Sequence, residues 1–546
     1  MKPESDWDSP VPRFESQLNT RDPEYQANYQ AMTEQVTLLQ ERLQQVQAGG
    51  GPKSKERHKS RGKLLPRERL AKLLDPGTPF LELSSLAAFG VYNDESPGAS
   101  QITGIGTVSG LECLIAASEP TIKGGAIYPL TVEKILRAQR IAEENALPTI
   151  MLVESAGANL THQADFFAQS GGRVFANQAR MSAQGLAQIA LVFGSSTAGG
   201  AYMPGMSDYS VMVENKAKVF LGGPPLVKMA TGEEVDDETL GGAKMHSTVS
   251  GVSDFMAKDD TDALRIGREI VASLGLGKAL GHRRKTPRPP HYNPDELLGI
   301  IPTDKRRPFD MREVMARLVD GSEWLEFKPD FGPTLITAFT HIDGYPVGIL
   351  ANNGVLFSES ANKAAHFISL CNQSRTPLLY LQNITGFMVG SKYEQGGIVK
   401  HGSQMVKAVA TSTVPQFTVI VGGSYGAGNY GMCGRAYDPR FLFTWPNSRI
   451  AVMGGEQAAG VLALVTEAQA KARGKVVDTA RIEAMRQATE AKFEEESSAY
   501  YATARLWDDG ILDPRQTREA LAVALSVAHN KDFVSPGMGC QGVFRF

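Results

Sequence analysis

Gly194–Asp208 reads GSSTAGGAYMPGMSD and follows an apolar run, Ile189–Phe193 (IALVF), short and β-rich enough for a buried strand. Four glycines fall within twelve residues, with small Ser, Thr and Ala among them, so the spacing predicts a strand, a tight turn and a helix opening at Gly199–Gly200. Such a turn leaves backbone N–H groups unpaired at a place where the helix dipole also favours negative charge. A single turn of this kind is more often packing than a site. Here it occurs twice. Phe417–Met432 reads FTVIVGGSYGAGNYGM, again a buried strand running into a Gly-rich turn, with a helix opening at Gly426–Ala427.

The flanks repeat as well. Upstream of the first copy the chain predicts a hairpin at Gly110, a strand, a loop, a helix, Pro148 and another strand. Upstream of the second it predicts a hairpin at Gly344, a strand, a loop, a helix, Pro377 and a strand. Downstream, Phe220–Lys228 (FLGGPPLVK) is answered by Ile450–Val461 (IAVMGGEQAAGV). The interval from Pro148 to Pro377 is that of a domain, not of a solenoid repeat. The chain reads as a tandem duplication of one α/β unit.

Length agrees, since 546 residues exceed one ordinary core and divide naturally into two domains. With 56 basic against 59 acidic residues the formal net charge is −3, so bulk charge offers no case for a nucleic-acid or anionic-membrane partner. No apolar run is long enough to span a bilayer, and MKPESDWDSP has neither an apolar h-region nor an Arg-rich character. A cytoplasmic protein is the expectation. Cys113, Cys371, Cys433 and Cys540 are far apart with no CxxC, which excludes a zinc ribbon and reads as buried free thiols.

In chain order, residues 1–79 form an extended tail to about residue 23, an amphipathic helix and a basic segment. The helix follows from Tyr25, Tyr29, Met32, Val36, Leu39, Leu43 and Val46 and ends at Gly49–Gly51. Within the basic segment Lys53–Arg69, Lys63 and Arg67 are candidates to approach phosphates of a nucleotide-like ligand, with a solvated basic face as the plain alternative. The first repeat is expected over 80–277 and the second over 309–546. The Pro- and Arg-rich stretch 278–308 between them argues against regular structure and for a linker. A polar helical stretch Asp478–Arg505, then LWDDGILD (Leu506–Asp513), then a helix Arg515–His529 closes the chain.

No side-chain catalytic set is evident. There is no GxSxG elbow with a plausible His, no HExxH and no GxxxxGK[ST], and His162, His246, His366 and His401 are scattered. What the chain offers twice is a backbone device, paired N–H donors beside a Gly-rich turn. Such donors suit a reaction with an enolate-like transition state, in which charge develops on a thioester oxygen.

Over nearly its whole length the chain resembles the β subunit (carboxyltransferase) of biotin-dependent acyl-CoA carboxylases. The resemblance is carried by KGGAIYPLTVEKILRAQ (Lys123–Gln139), NQARMSAQG (Asn177–Gly185), STAGGAYMPGMSD (Ser196–Asp208) and FLGGPPLVKMATGEEV (Phe220–Val235). It continues through LGGAKMHSTVSGVSDFMAKDD (Leu240–Asp260), ANNGVLFSESANKAAHFI (Ala351–Ile368), QNITGFMVG (Gln382–Gly390) and GGSYGAGNYGMCGRAYDP (Gly422–Pro439). It implies a tandem pair of crotonase-like domains, the first holding the acyl-CoA and the second, from a neighbouring subunit, completing the site where carboxybiotin arrives. Gly199 and Gly200 match one oxyanion-hole pair, Gly426 and Ala427 the other. Lys123, Gly124 and Gly125 in one loop and Asn353, Gly354, Val355, Leu356 and Phe357 in another match substrate-binding stretches. In such enzymes carboxybiotin releases CO2, the biotin ureido anion takes the acidic proton of the thioester, and the enolate attacks CO2. The base is then the cofactor, which agrees with the missing side-chain base.

VKMA at Lys228 and AKMH at Lys244 lack the context of a biotin-attachment motif, and no ATP-binding loop is apparent. The resemblance therefore implies biotin carried on a separate α subunit with biotin carboxylase activity, a CoA thioester as substrate, no metal, and a β6 core within an α6β6 assembly. TGEEVDDETLGGAKMHSTVSGVSD and FLGGPPLVK are similar to the 3-methylcrotonyl/geranyl-CoA branch. Methylcrotonyl enzymes usually carry a segment like EVFPDREHFGRIF where this chain has ADFFAQSGGRVF (Ala164–Phe175), with Gly171 in place of the Phe. Loss of a ring beside an acyl pocket makes room for a longer isoprenoid chain, so geranyl-CoA is favoured over 3-methylcrotonyl-CoA. The carboxyltransferase subunit of a biotin-dependent acyl-CoA decarboxylase and a non-enzymatic assembly subunit are the rival readings, and the intact glycines at both turns weigh against the second.

Overall fold

In the computed structural model, which describes residues 13–278, 284–304, 307–474 and 477–533, both predicted turns sit at the ends of central strands. The first sheet contains β1 (Phe80–Leu83), β2 (Gln101–Val108), β3 (Leu111–Ser118), β4 (Thr149–Ser155), β5 (Gln188–Thr197), β6 (Tyr209–Val213), β7 (Lys218–Phe220) and β8 (Phe255–Ala257). Its order is β1-β2-β3-β4-β5-β6-β8, with β7 paired to the far end of β5. The second contains β9 (Leu325–Glu326), β10 (Leu335–Ile342), β11 (Tyr345–Asn352), β12 (Leu378–Ile384), β13 (Gln416–Tyr425), β14 (Phe441–Thr444) and β15 (Arg449–Ala451). Its order is β14-β13-β12-β11-β10-β9, with β15 on β13 as β7 is on β5. The chain thus adopts the tandem duplicated α/β architecture expected from its sequence.

Each sheet opens with an antiparallel hairpin and continues in parallel through crossover helices. The hairpin turns are built alike: Ser109 and Gly110 have φ of 50° and 80°, Asp343 and Gly344 have 51° and 79°. Two successive left-handed residues give the type I′ geometry that matches strand twist. Helices Pro129–Glu144 and Ser358–Ser374 then return the chain to β4 and β12. Because such helices cover parallel strands on their faces, β5 and β13 are buried almost throughout, which is why IALVF and FTVIV read as unbroken apolar runs.

Helix α1 (Pro23–Gln47), capped by Asp22, buries Tyr25, Met32, Val36, Leu39 and Val46, the face read from the sequence. The stretch between the repeats departs from expectation. Pro294–Glu296 forms a 3-10 turn and Leu297–Ile300 a helical turn whose four residues are buried. It packs so closely on α1 that any side chain at Gly299 would collide with the Tyr25 ring. Proline density had masked the apolar LLGII run that drives this burial.

One buried knot ties the halves together. Asp509, with a fully buried side chain, accepts from Arg137 at 2.7 and 2.8 Å, from Arg435 at 2.9 Å and from the Leu442 N–H at 2.8 Å. Arg137 lies on the helix after β3, Arg435 beyond β13. Cys113, Cys371 and Cys433 are buried free thiols, and Cys540 lies outside the described residues. Among the described residues no helix is long and apolar enough to cross a membrane.

Candidate functional site

The two Gly-rich turns align through strand register rather than through resemblance of sequence. β4 and β5 pair from Thr149↔Gln188 to Val153↔Val192, then slip to Ser155↔Ser196. β12 and β13 pair from Leu378↔Gln416 to Gln382↔Ile420, then slip to Ile384↔Ser424. The slip is the same in both, so Ser196 corresponds to Ser424. Next but one comes a left-handed residue in each, Ala198 with φ 53° and Gly426 with φ 56°. Gly199 then corresponds to Ala427, and Gly200 to Gly428. The sequence-nominated pairs Gly199–Gly200 and Gly426–Ala427 are therefore one residue out of phase, and the counterpart of Gly199–Gly200 is Ala427–Gly428.

Each turn leads into helical backbone: a 3-10 turn at Ala198–Ala201 with helix Tyr202–Gly205 behind it, and helix Gly426–Gly431. First-turn N–H groups have no intrahelical acceptor and face outward. Serine holds each turn in place. Ser196 Oγ donates to Gly200 O at 2.9 Å, while Ser424 Oγ donates to Gln382 Oε1 at 2.6 Å and accepts from Asn429 Nδ2 at 2.8 Å. A Cβ on Gly200 would lie 3.1 Å from Ser196 Oγ, and one on Gly428 would lie 2.5 Å from Ile384 Cγ1.

The two nominated substrate loops are also counterparts, each joining a hairpin strand to its crossover helix. Lys123, Gly124 and Gly125 are successive left-handed residues, with φ of 47°, 70° and 72°. Gly124 O accepts from Ala156 N at 2.9 Å, and Ile127 bridges Ala158. In the second half Leu356 bridges Phe387, Gly354 has φ 142°, and Asn353 Oδ1 accepts from Met311 N at 3.0 Å. Val355 and Phe357 are partly buried beside it. The side chain of Leu356 is wholly buried in the core with Leu335 and Phe367, which leaves its backbone as the part that can meet a ligand. Lys123 is paired with Glu95 at 3.1 Å on an exposed face.

Gly171 ends a π-helical turn, Phe167–Gly171, and donates to Phe166 O at 2.8 Å. One helical turn later, on the same helix face, stands Phe175. Its ring lies 3.7 Å from where a Cβ on Gly199 would be and makes an edge contact with Tyr202 at 6.0 Å between centroids. The structure thus brings Gly171 to the side of the helix that addresses the first turn.

Beneath the first turn lies a charged network that composition did not reveal. Glu154, at the end of β4, is bonded to Lys63 Nζ at 2.5 Å and to Arg69 at 3.1 Å, and Asp260 joins Arg69 at 2.9 Å and Lys216 at 3.2 Å. Arg67 is held by Glu82 through two bonds of 2.9 Å. Lys63 and Arg67, the nominated phosphate ligands, are thus both engaged with carboxylates. Over this network opens a cleft of about 180 Å³, lined by Arg57, Arg61, Lys63, Gly124, Ala156 and Ser195. The corresponding strand positions of the second half, Asn383, Thr385, Gly422 and Gly423, line a cavity of about 500 Å³ closed by α1. There the acid is replaced by neutral Asn383, Arg449 is bonded to Glu494 at 2.6 Å, and Arg42 stacks on Tyr500 at 3.8 Å. Asn28, Gln35 and Asn447 also line it, together with Asp304 and Arg307.

Among the described residues His246 is fixed between Val219 O and Ser250 Oγ, both at 2.7 Å, and is not free to act as a base. Among the described residues no group of three or more His, Cys, Asp or Glu is placed to hold a metal ion. What the site provides is two sets of fixed backbone donors, one above the Glu154–Lys63–Arg69 network and one above Asn383, in a cavity that Arg42, Arg307 and Arg449 also line.

Residues 57–537 match the carboxyl transferase domain family. The chain is 55% identical to the biotin-dependent 3-methylcrotonyl-coenzyme A carboxylase β1 subunit of Mycobacterium tuberculosis, over 93% of this chain and 96% of that one. It is 53% identical to the probable mitochondrial methylcrotonoyl-CoA carboxylase β chain of Drosophila melanogaster, over 94% and 92%. Among solved structures, the β subunit of geranyl-CoA carboxylase from P. aeruginosa superposes with a TM-score of 0.88 at 46% identity, covering 98% of this chain and all of the other. The duplicated fold, the paired turns and these likenesses agree: the chain belongs to the carboxyl transferase domain family, among the β subunits of biotin-dependent acyl-CoA carboxylases.

Proposed function

We propose that the first half holds a branched α,β-unsaturated acyl-CoA and the second half receives the carboxyl donor, with Gly199–Gly200 and Ala427–Gly428 supplying the two sets of backbone donors. The observation that carries this division is the residue beneath each turn: in the first half Glu154 holds Lys63 and Arg69 in a charged network with Arg57 and Arg61 at the rim, which suits a polyanionic reactant, and in the second its place is taken by Asn383. N–H groups about 3 Å from a thioester oxygen stabilise the charge that develops there when a proton leaves the γ-methyl carbon. The N-terminal position of those groups on helical backbone adds a favourable dipole. Ala427 and Gly428 are placed to polarise the ureido carbonyl of the second reactant in the same way. A biotin carried by a separate α subunit with biotin carboxylase activity would supply the carboxyl group and the base, and Ala427 and Gly428 would hold its ureido oxygen.

A β6 core within an α6β6 assembly suits the surface. Large apolar side chains stand exposed near both turns, Phe167 and Met229 at 74% and 85% in one half, Val389 and Val452 at 73% and 74% in the other. Surface of this kind marks an interface.

Gly171 and Phe175 bear on the acyl group. Gly171 stands one helical turn before Phe175, whose ring faces Gly199, and the loss of a family Phe ring at 171 favours geranyl-CoA. The second reading, 3-methylcrotonyl-CoA, is favoured by the higher identity to relatives of that name. Burial of each CH2 contributes about 0.8 kcal/mol, so the added isoprene unit is worth several kcal/mol where its pocket exists. The test is ATP-dependent bicarbonate fixation by the chain co-expressed with its α partner, on both thioesters. Wild type is expected to carboxylate geranyl-CoA, and Gly171→Phe to lose kcat/KM for it at least tenfold more than for 3-methylcrotonyl-CoA. Gly171→Ala is the control for the turn, since its Cβ would meet Phe166 O at 3.2 Å. Activity on 3-methylcrotonyl-CoA alone in the wild type would establish the second reading.

A further inference from the structure

The helix behind the second turn is gripped at both ends by one side chain. Gln382, on β12 and wholly buried, accepts from Ser424 Oγ at 2.6 Å and donates through Nε2 to Met432 O at 2.6 Å. Ser424 lies two residues before helix Gly426–Gly431, and Met432 is the residue that caps its end. Asn429, inside the helix, closes the ring by donating from Nδ2 to Ser424 Oγ at 2.8 Å. Its Oδ1 takes the room beside Gly434, where a Cβ would collide with it. Both the carbonyl and the amino end of the Gln382 amide are engaged, and a buried network satisfied in this way is rigid.

The first turn is braced differently. Strand register puts Val153, a residue of the apolar core, where Gln382 stands in the second half. The helical backbone there is held instead by Gln178 of helix Gly172–Ala183, whose Nε2 donates to Met203 O at 2.8 Å. Duplication has kept the donors and moved the brace, from a neighbouring helix in one half to the adjacent strand in the other. A change at Gln382 therefore reaches the second set of donors and leaves the brace of the first untouched.

We propose that Gln382 is a positioning residue for the transfer step: through Ser424 and Met432 it sets where the Ala427 and Gly428 N–H groups stand, and it touches neither reactant. The assignment rests on the reading that the second turn holds the carboxyl donor. Backbone donors act only at about 3 Å from the oxygen they stabilise, and a misplacement of about 1 Å can cost on the order of 10² in rate.

The test uses the enzyme assembled with its α partner and replaces Gln382 by the residue that the first half has at this place. In Gln382→Val, hydrogen exchange should quicken about tenfold or more at the N–H groups of Met432 and Cys433, which report on the helix through their bonds to Gly428 O at 3.0 Å and Tyr430 O at 3.3 Å. Exchange at the first turn should not change. The kcat for acyl-CoA should fall about tenfold or more, with KM for acyl-CoA within about twofold. ATP cleaved per bicarbonate fixed should rise, because carboxyl groups then reach the turn without being transferred. A variant that merely assembled less well would lose fixation with that ratio unchanged. Gln382→Glu adds a pH readout. Its carboxylate only accepts, whereas the protonated acid donates to Met432 O and accepts from Ser424 as the amide does. Burial favours the neutral form, so its kcat relative to wild type should recover as pH is lowered. Unchanged exchange at Met432 and Cys433 in a folded Gln382→Val protein would overturn the proposal, as would a loss of fixation at an unchanged ATP ratio. Quickened exchange with unaltered fixation would instead overturn the underlying reading of the second turn.

Discussion

Glu154 in the first half and Asn383 in the second stand at the same place, on the strand beside the turn, and each fills room left by a glycine. A Cβ on Gly194 would lie 2.5 Å from Glu154 Oε1, and one on Gly422 would collide with Asn383 Oδ1. The amide accepts from Gly423 N at 3.0 Å and is satisfied within its own half. The carboxylate needs Lys63 and Arg69, and so recruits a segment from more than eighty residues earlier. Duplication has kept the backbone, down to the left-handed residue before each set of donors, and has changed the charge of the floor beneath it.

The largest expected effect comes from removing that shared backbone device on one side only. Gly200→Val puts branched bulk against Ser196 Oγ, a group that can rotate, so the fold and the oligomer should persist. Loss of an oxyanion donor typically costs about 10²–10³ in kcat, and a fall of that size is expected here. At Gly428 the obstacle is Ile384 Cγ1 at 2.5 Å with Gly386 Cα behind it at 3.3 Å, so Gly428→Val should impair assembly as well as turnover. Turnover assays and size-exclusion chromatography on both variants check the contrast. Near-normal turnover in a folded Gly200→Val protein would mean that the first turn is not the oxyanion site.

The seam between the halves gives the next effect. Asp509 is held far below the usual carboxylate range by Arg137 and Arg435, so it stays ionised over any working pH. Its neighbour Asp508, fully buried, is pushed up to about 7 by desolvation and accepts from the Gly510 N–H at 3.0 Å. An acid whose folded pKa is raised binds its proton more tightly when folded. Its contribution is therefore fully present below about pH 4 and is lost as pH rises through about 7. Urea midpoints of wild type should fall across that window, by on the order of 3 kcal/mol. Asp508→Asn should flatten the window and be the more stable protein at pH 8. A variant with the wild-type slope would show that Asp508 is not the titrating group.

Much of this was legible before any coordinates. The hairpins at Gly110 and Gly344, the strands ending at the Gly-rich turns and the face of α1 follow from local rules: left-handed turn residues, unbroken apolar runs and helical spacing. What failed depended on partners distant in sequence. Lys63 and Arg67 looked free because nothing local announces Glu154 or Glu82 beside them. Gly426–Ala427 looked like the match to Gly199–Gly200 because GGA and GAG invite a shifted alignment that only the slip between paired strands corrects. The LLGII run was hidden by the prolines around it.

The smallest expected effect tests the duplication at a position the chemistry does not use. Lys134 and Lys363 are each the sixth residue of the crossover helix that follows the hairpin, and both are fully buried. Lys134 Nζ donates to Gly98 O at 3.0 Å and to Gln101 O at 2.6 Å, while Lys363 Nζ has no hydrogen-bond partner among the described residues. Burial pushes Lys134 down to about 7 and lowers Lys363 too. A lysine lowered in the folded state stabilises progressively as pH rises from its folded to its unfolded pKa, so the Lys134 contribution should grow from about pH 7 to about 10. Lys134→Met strands two buried carbonyls and should cost about 1–3 kcal/mol. Lys363→Met exchanges an unpaired buried amine for an apolar chain of similar length and should be neutral or stabilising by about 1 kcal/mol. Urea unfolding of both variants at pH 7.5 measures the difference directly. Equal losses would mean that the second lysine is as firmly held as the first, and that the two halves diverge only in the charge beneath their turns.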